Sequence, residues 1–207
     1  MLKEAESYDL DGVIISNNTP FQFDTVRKYF RIDPIRYVPP PIVPVDRKVE
    51  ESYIMPVNDV MNYFAQMVRS VDLDTWQYLW DRNIDVYGNT GRPNIRPWVD
   101  LTHRTLDRGL VLPRFKDIFF RPKGINGIQS KGAALLELSE KYDKVTHYDD
   151  DPWVIFGLAK IFPNVDFVFV QGLTSGILMS EEEKTLFPNV TRVGQLRYSE
   201  QKYIQGN

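Results

Sequence analysis

Short apolar runs alternate along this chain with longer stretches of helical periodicity, and this alternation is the feature that most constrains the fold. The clearest run is VDFVFV at 165–170, and others are NIDVY at 83–87, DIFF at 117–120 and KVTHY at 144–148. These runs are almost continuously apolar, which is typical of strands buried on both faces. A sheet covered on both faces needs helices on both sides, so the pattern predicts a doubly wound α/β fold with a parallel sheet.

The remaining segments add further strand and helix candidates to this alternation. VIISNN at 13–18 is a further apolar run, and VTRVGQL at 190–196 is a weaker last strand. Apolar residues at helical spacing predict helices between the strands, in five segments: 57–68, 73–82, 96–109, 130–142 and 151–164.

Composition removes several classes of function. The chain has 207 residues, enough for one domain, and no cysteine, so disulfides, cysteine nucleophiles and cysteine metal sites are excluded. A formal net charge of -3 argues against a protein-wide basic field for nucleic acid. The segment MLKEAESYDLDG has no apolar signal core, and no stretch is long enough to span a bilayer, so we expect a cytoplasmic protein.

Residues 20–56 interrupt the alternation. The prolines at positions 34, 39, 40, 41, 44 and 56 exclude regular helix from this stretch. A long irregular insertion in a compact domain is usually functional. We therefore predict an inserted flap or small cap after the first strand, within a single domain covering 1–207.

Polar side chains follow the strands where a parallel sheet binds ligands, at its carboxyl edge. Asp9 and Asp11 end the first strand, and Thr90 ends the second. Lys131 opens the helix before the fourth strand, and that strand ends in the acidic triplet 149–151. Two aspartates so close together repel each other, so either a positive group lies between them or one of them holds a proton.

These residue types fit phosphoryl transfer. Asp9 can attack phosphorus to give an acyl phosphate, and Asp11 can protonate the leaving alcohol and then deprotonate water. Thr90 can hydrogen-bond a phosphoryl oxygen, and Lys131 can neutralise charge and orient Asp9.

The carboxylates of the same site are also potential ligands for a cation. Mg²⁺ prefers oxygen ligands and binds a few carboxylates together with substrate phosphate. Asp9 with Asp149 or Asp150 could supply those ligands, and the triplet leaves open which of its members take part.

The segments DLDGV, TGRP, SKGAALLEL and HYDDDP together resemble the four motifs of the haloacid dehalogenase (HAD) superfamily of phosphatases, in the same order. The resemblance covers residues 9–151 and implies a Rossmann-like sheet of strand order 3-2-1-4-5. It implies an Mg²⁺-dependent phosphomonoester hydrolase that acts through an aspartyl-phosphate intermediate on Asp9.

The resemblance also assigns roles by position. Asp9 corresponds to the nucleophile, Asp11 to the general acid/base, and Thr90 and Lys131 to the family's hydroxyl and lysine. Metal ligands correspond to Asp9, the backbone carbonyl of Asp11, Asp149 and Asp150. Substrate phosphate would contact Thr90, Gly91 and Lys131.

Several alternatives stay open. A non-catalytic or degenerate phosphoacceptor or binding module would also use clustered acids, although the chain order of the motifs favours the hydrolase. Substrates could be phosphorylated small molecules, nucleotides or nucleic-acid ends, and no membrane partner is expected. Arg92 and Arg96 flank the Thr90 turn and could reach a substrate phosphate, but we expect them to form ion pairs with surface acids. His147 is expected to be a strand residue with a satisfied hydrogen bond, and His103 to lie at the surface or the edge of the core.

Overall fold

A six-stranded, all-parallel sheet organises the chain in the computed structural model, with the strands in the order β3-β2-β1-β4-β5-β6. The structure describes residues 2–15, 33–51, 73–170 and 180–193, with positions 60, 63, 64, 67 and 69–71. The strands are β1 (Glu4–Tyr8), β2 (Asp85–Pro93), β3 (Phe115–Arg121), β4 (Lys144–Asp149), β5 (Val165–Val170) and β6 (Val190–Val193). The helices are α1 (Leu73–Trp80), α2 (Arg96–Arg108), α3 (Gly127–Lys141), α4 (Pro152–Ile161) and α5 (Glu181–Leu186), with a 3₁₀ turn at Leu112–Arg114.

The predicted α/β fold and its strand order are confirmed, and β6 extends the order by one strand. β6 comes from the VTRV segment, the weakest of the sequence candidates. None of the helices in the described ranges is long and apolar enough to cross a membrane.

Two predicted elements have different outcomes. The apolar run that begins at Val13 is not a sheet strand, because Ile14 and Ile15 both donate their backbone N–H to Leu10 O in a buried turn. The end of that run, and most of the helix predicted at 57–68, lie outside the described residues.

Separate apolar cores cover the two faces of the sheet. Alternate residues of each strand point to opposite faces, so β1 sends Ala5 and Ser7 one way and Glu6 and Tyr8 the other. The first core packs the sheet against α3 and α4, and the second packs it against α1 and the turn after β1. This burial on both faces accounts for the nearly continuous apolar strands.

A buried ionic network explains why the central strand β1, with the sequence EAESY, is unusually polar. The Glu6 carboxylate accepts hydrogen bonds from Arg82 Nη2 at 2.6 Å, from Tyr148 Oη at 3.0 Å and from the Tyr8 hydroxyl. Arg82 also donates to Tyr78 Oη at 2.8 Å. Because its oxygens have these partners, Glu6 is tolerated at 4% exposure within the second core.

Residues 33–51, which we call the strap, are the part of the proline-rich insertion that the structure describes. The strap has no regular helix, as the prolines predict, and crosses the outer side of α3 and α4. Tyr37 packs edge-on against Trp153 at 4.7 Å between ring centroids, and Lys160 donates to the backbone oxygens of Ile35 and Tyr37. Residues 20–32 and 52–56 lie outside the described residues, so the flap or cap itself stays a prediction.

A glycine in α4 makes room for the strap, and we expect Gly157→Ala to loosen it. A Cβ at Gly157 would lie 2.8 Å from Tyr37 Cε1, which is too close for carbon atoms. In an exposed helix the same change would raise the free energy of unfolding by about 1 kcal/mol, because alanine has a higher helix propensity than glycine. Urea unfolding should therefore show a loss of stability instead of that gain, and the Tyr37→Ala background should restore the gain. A stabilised single variant would contradict this packing.

Candidate active site

Lys131 joins the ends of two neighbouring strands at the carboxyl edge of the sheet. Asp9 follows β1 and Asp149 ends β4, and β1 and β4 pair in parallel, so their carboxyl ends meet. Lys131 reaches this edge from the second turn of α3, with its Nζ 3.0 Å from Asp9 Oδ1 and 2.6 Å from Asp149 Oδ2. All three side chains are buried, so the ammonium group is the counter-charge of both acids.

The pKa values of these acids are shifted from their ordinary values by burial and by the neighbouring charges. Burial, reinforced by the charges of Asp149 and Asp11, raises the pKa of Asp9 to about 7 despite Lys131. Burial and the same kind of repulsion raise the pKa of Asp150 well above its ordinary value. Burial also opposes the charge of Asp149, but Lys131 and a hydrogen bond from His147 outweigh it and lower that pKa.

The acids form a group that fits a divalent cation. One carboxylate oxygen from each of Asp9, Asp149 and Asp150 lies within 4.8 Å of the others. An oxygen-only donor set with several carboxylates suits Mg²⁺, and a cation there would relieve the repulsion that raises two of the pKa values. The third acid of the triplet has another task, because Asp151 caps α4 by accepting a hydrogen bond from Trp153 N at 2.9 Å.

Asp11 lies apart from this group and is held by arginines. Arg92 donates to it through two nitrogens, Nε to Oδ2 at 2.8 Å and Nη2 to Oδ1 at 2.7 Å. Arg69 Nη1 lies 3.4 Å from Asp11 Oδ1. Burial disfavours the charge on Asp11, but Arg92 and then Arg69 outweigh it and lower its pKa. Gly12 completes the turn with φ of +90°, which a residue with a side chain adopts only under strain.

The expected positive partners of the two opening aspartates are therefore different residues. Lys131 pairs with Asp9, and Arg92 pairs with Asp11. The expectation that Arg92 pairs with surface acids was wrong, because its guanidinium is buried and also donates to Thr102 Oγ1 at 2.8 Å. Arg96 does form a surface pair, with Asp100. Nothing near position 92 in the sequence indicates a partner 81 residues earlier.

Thr90 and Gly91 lie at the carboxyl edge on β2, beside β1. The strand register pairs Tyr8 with Gly88, which brings Thr90 level with the residues just after β1. Thr90 is fully buried, and its Oγ1 accepts a hydrogen bond from Arg92 N at 3.2 Å. A Cβ at Gly91 would meet no atom within 4 Å, so its backbone borders open space.

One further lysine and the two histidines are not members of the acidic group. Lys123, shortly after the end of β3, is exposed and pairs with Glu50 at 3.8 Å. His103 is exposed, with its ring against Phe120. His147 is fully buried beside Asp149, with hydrogen-bond partners on both ring nitrogens.

The parallel sheet with its acidic carboxyl edge defines a doubly wound α/β protein with a candidate metal-dependent site. No protein-family model matches the sequence, and no curated protein is similar to it in sequence. Solved structures do match.

A haloacid dehalogenase-like family hydrolase from Streptococcus pneumoniae aligns at a TM-score of 0.54 and 12% identity, over 98% of this chain and 99% of its own. The HAD-hydrolase YfnB from Bacillus subtilis, in a structure bound to magnesium, aligns at 0.53 and 10% identity over 100% of both chains. CbbY from Rhodobacter sphaeroides, in complex with phosphate, aligns at 0.50 and 12% identity over 95% of both chains. The chain has the fold of the haloacid dehalogenase superfamily.

Proposed function

We propose that this protein is an Mg²⁺-dependent phosphomonoester hydrolase that acts through an aspartyl phosphate on Asp9. One observation carries the proposal: Lys131 bridges Asp9 and Asp149 inside a buried acidic group that fits a cation. A purely structural site has no need to gather three carboxylates, two of them buried, around one ammonium group, because apolar residues there would cost less. The magnesium-bound and phosphate-bound structures of the same fold support this assignment.

The reaction would proceed in two steps. A carboxylate oxygen of Asp9 attacks phosphorus, the bond from phosphorus to the ester oxygen breaks, and Asp11 gives its proton to the departing alcohol. Asp11 then takes a proton from water, whose oxygen attacks phosphorus and releases phosphate from Asp9. An incoming phosphate dianion favours the protonated form of Asp11, which offsets the effect of Arg92 on its pKa.

The other residues would bind the phosphoryl group. Thr90, the open backbone at Gly91 and the ammonium of Lys131 offer hydrogen bonds to its oxygens. Asp9, Asp149, Asp150 and the carbonyl of Asp11 would hold Mg²⁺, which supplies positive charge against the phosphate.

Phosphate release should depend on the metal. We expect the purified protein to hydrolyse p-nitrophenyl phosphate with Mg²⁺ and to lose activity in EDTA, because the crowded carboxylates then repel the anionic substrate. Colorimetric phosphate detection measures this, and restoring Mg²⁺ should restore the rate. Stable phosphorylation of the protein without turnover would instead support the non-catalytic phosphoacceptor.

Arg92→Lys tests the role of Asp11, because lysine cannot hold that carboxylate through two parallel hydrogen bonds. An alkyl phosphate needs a proton on its leaving oxygen, whereas p-nitrophenolate leaves without one. Because Asp11 also activates water in the second step, which both substrates share, the first step is compared through kcat/KM. We expect kcat/KM to fall roughly tenfold to a hundredfold more for an alkyl phosphate than for p-nitrophenyl phosphate. Arg96→Lys, at the surface pair with Asp100, is the matched control and should leave both rates unchanged. Equal losses on both substrates would contradict the role of Arg92.

The substrate is a phosphorylated small molecule, a nucleotide or a phosphorylated nucleic-acid end, and the cytoplasm stays the predicted compartment. The same acids would act on every phosphoryl group, so the site residues do not distinguish these classes. A screen of phosphorylated metabolites and of 3′- and 5′-phosphorylated oligonucleotides separates them.

A further inference from the structure

A buried serine and histidine lie directly beneath the acidic group. Ser7 and His147 are register partners on β1 and β4, and both face α3 and α4. His147 Nδ1 lies 3.1 Å from Ser7 Oγ and 3.1 Å from Ser7 O, and Nε2 lies 3.2 Å from Asp149 Oδ2. All three residues have an exposure of 0%.

These contacts select one arrangement of hydrogen atoms. Nδ1 faces both the Ser7 hydroxyl, which can donate to it, and the Ser7 carbonyl, which can only accept. A buried hydroxyl needs an acceptor, and Nδ1 is the side-chain acceptor that the described residues offer to Ser7. With Nδ1 accepting, Nε2 carries the ring N–H and can donate it to Asp149 Oδ2. The opposite tautomer would point a nitrogen lone pair at a carboxylate oxygen. The serine hydroxyl therefore sets the direction of the whole chain of hydrogen bonds.

The Asp149 carboxylate is almost fully engaged as a result. Its Oδ2 accepts from His147 and from Lys131 Nζ, and its Oδ1 accepts from Asp151 N at 2.9 Å. A carboxylate has about four acceptor directions, so three are used and one, on Oδ1, is left. Removing His147 would take away one of these three hydrogen bonds and loosen the orientation of the carboxylate.

We propose that Ser7 and His147 form a brace that fixes the Asp149 carboxylate so that its one remaining acceptor direction serves the divalent cation. This proposal rests on the proposed function, because it assumes that Asp9, Asp149 and Asp150 bind the metal. Both are positioning residues: buried under the site, they act through Asp149 and touch no substrate. The order Ser-His-Asp is that of a hydrolytic triad, but a fully buried hydroxyl cannot reach a substrate.

Metal affinity is the first test. Isothermal titration of the full chain with Mg²⁺ should give a Kd weaker by roughly 10- to 100-fold in Ser7→Ala and in His147→Asn, as is usual when support behind a metal ligand is lost. His147→Gln keeps an N–H near the position of Nε2 and should bind nearly as tightly as the wild type. Thr105→Val also removes one buried hydroxyl, far from the brace in α2, and is the matched control.

The ring nitrogens give a readout that needs neither metal nor activity. The chain has two histidines, so a ¹⁵N–¹H correlation spectrum of the metal-free protein holds two ring systems, and His103→Gln identifies which belongs to His147. We expect Nδ1 without a proton and Nε2 with one, and loss of this pattern in Ser7→Ala.

The outcomes separate the two proposals. A wild-type protein that binds no Mg²⁺ would overturn the proposed metal-dependent function. A wild-type protein that binds Mg²⁺ while Ser7→Ala and His147→Asn bind it equally well would overturn the brace alone, as would a proton on Nδ1 of His147.

Discussion

Asp9→Asn is expected to abolish phosphate release, with kcat lower by roughly a thousandfold or more, as for other enzymes that lose their nucleophile. An amide oxygen is a far weaker nucleophile than a carboxylate, and Lys131 would have no charge to orient at that position. Steady-state assays with p-nitrophenyl phosphate and an alkyl phosphate measure the loss. Both substrates should be affected alike, because Asp9 attacks phosphorus and not the leaving group.

The fold of this variant should survive. Burial raises the pKa of Asp9 from its ordinary value of 3.8 to about 7, so the folded metal-free protein loses stability as the pH rises between these two values, and the full loss is present at pH 8. Asparagine removes that charge, and the melting temperature at pH 8 should equal or exceed that of the wild type. Asparagine can deamidate to aspartate and restore the nucleophile, so Asp9→Ala serves as a second variant. Asp166→Asn, on the exposed side of β5, is the matched control. Activity that survives both substitutions at Asp9 would contradict the aspartyl-phosphate mechanism.

Lys131→Met is expected to lower the free energy of unfolding of the metal-free protein by about 3–5 kcal/mol at pH 8. Methionine fills similar space, but it leaves Asp9 and Asp149 buried without their shared counter-charge. Mg²⁺ should reduce the loss, because a cation among the carboxylates replaces part of the missing positive charge. Urea unfolding with and without Mg²⁺ measures both effects, and hydrolysis should be lost in parallel.

A surface lysine gives the comparison. Lys141 forms an exposed i,i+4 pair with Glu137, so Lys141→Met should change stability by about 0.5 kcal/mol or less. Similar losses at positions 131 and 141 would show that the ammonium of Lys131 does not hold the acidic group together.

The candidate acids and the lysine could be read from the sequence because each lies next to a local signal. Asp9, Thr90 and Asp149 all lie at or just beyond the end of an apolar run or strand, and Lys131 lies in a helix with clear periodicity. Parallel strands bring such ends to one edge of the sheet, so the order of elements was enough to predict their neighbourhood. The acidic triplet was ambiguous in the sequence. In the structure Asp151 caps a helix, and the other two acids group with Asp9.

Other features had no local signal. The polar strand EAESY makes sense only once Arg82 and the tyrosines surround Glu6. Arg92 was expected at the surface, and its partner Asp11 became evident only when β2 lay beside β1.

The sequence by itself determined the alternation of strands and helices up to β5, the parallel sheet and the residue types at its carboxyl edge, because hydrophobic periodicity and turn chemistry act over a few neighbouring residues. It did not indicate α5. Only the tertiary structure decided which charged and hydrogen-bonding groups became partners. Arg92 meets Asp11 across 81 positions, and Ser7 meets His147 across 140. Such pairs depend on strand register and side-chain direction, which packing of the whole sheet fixes and no short stretch of sequence encodes.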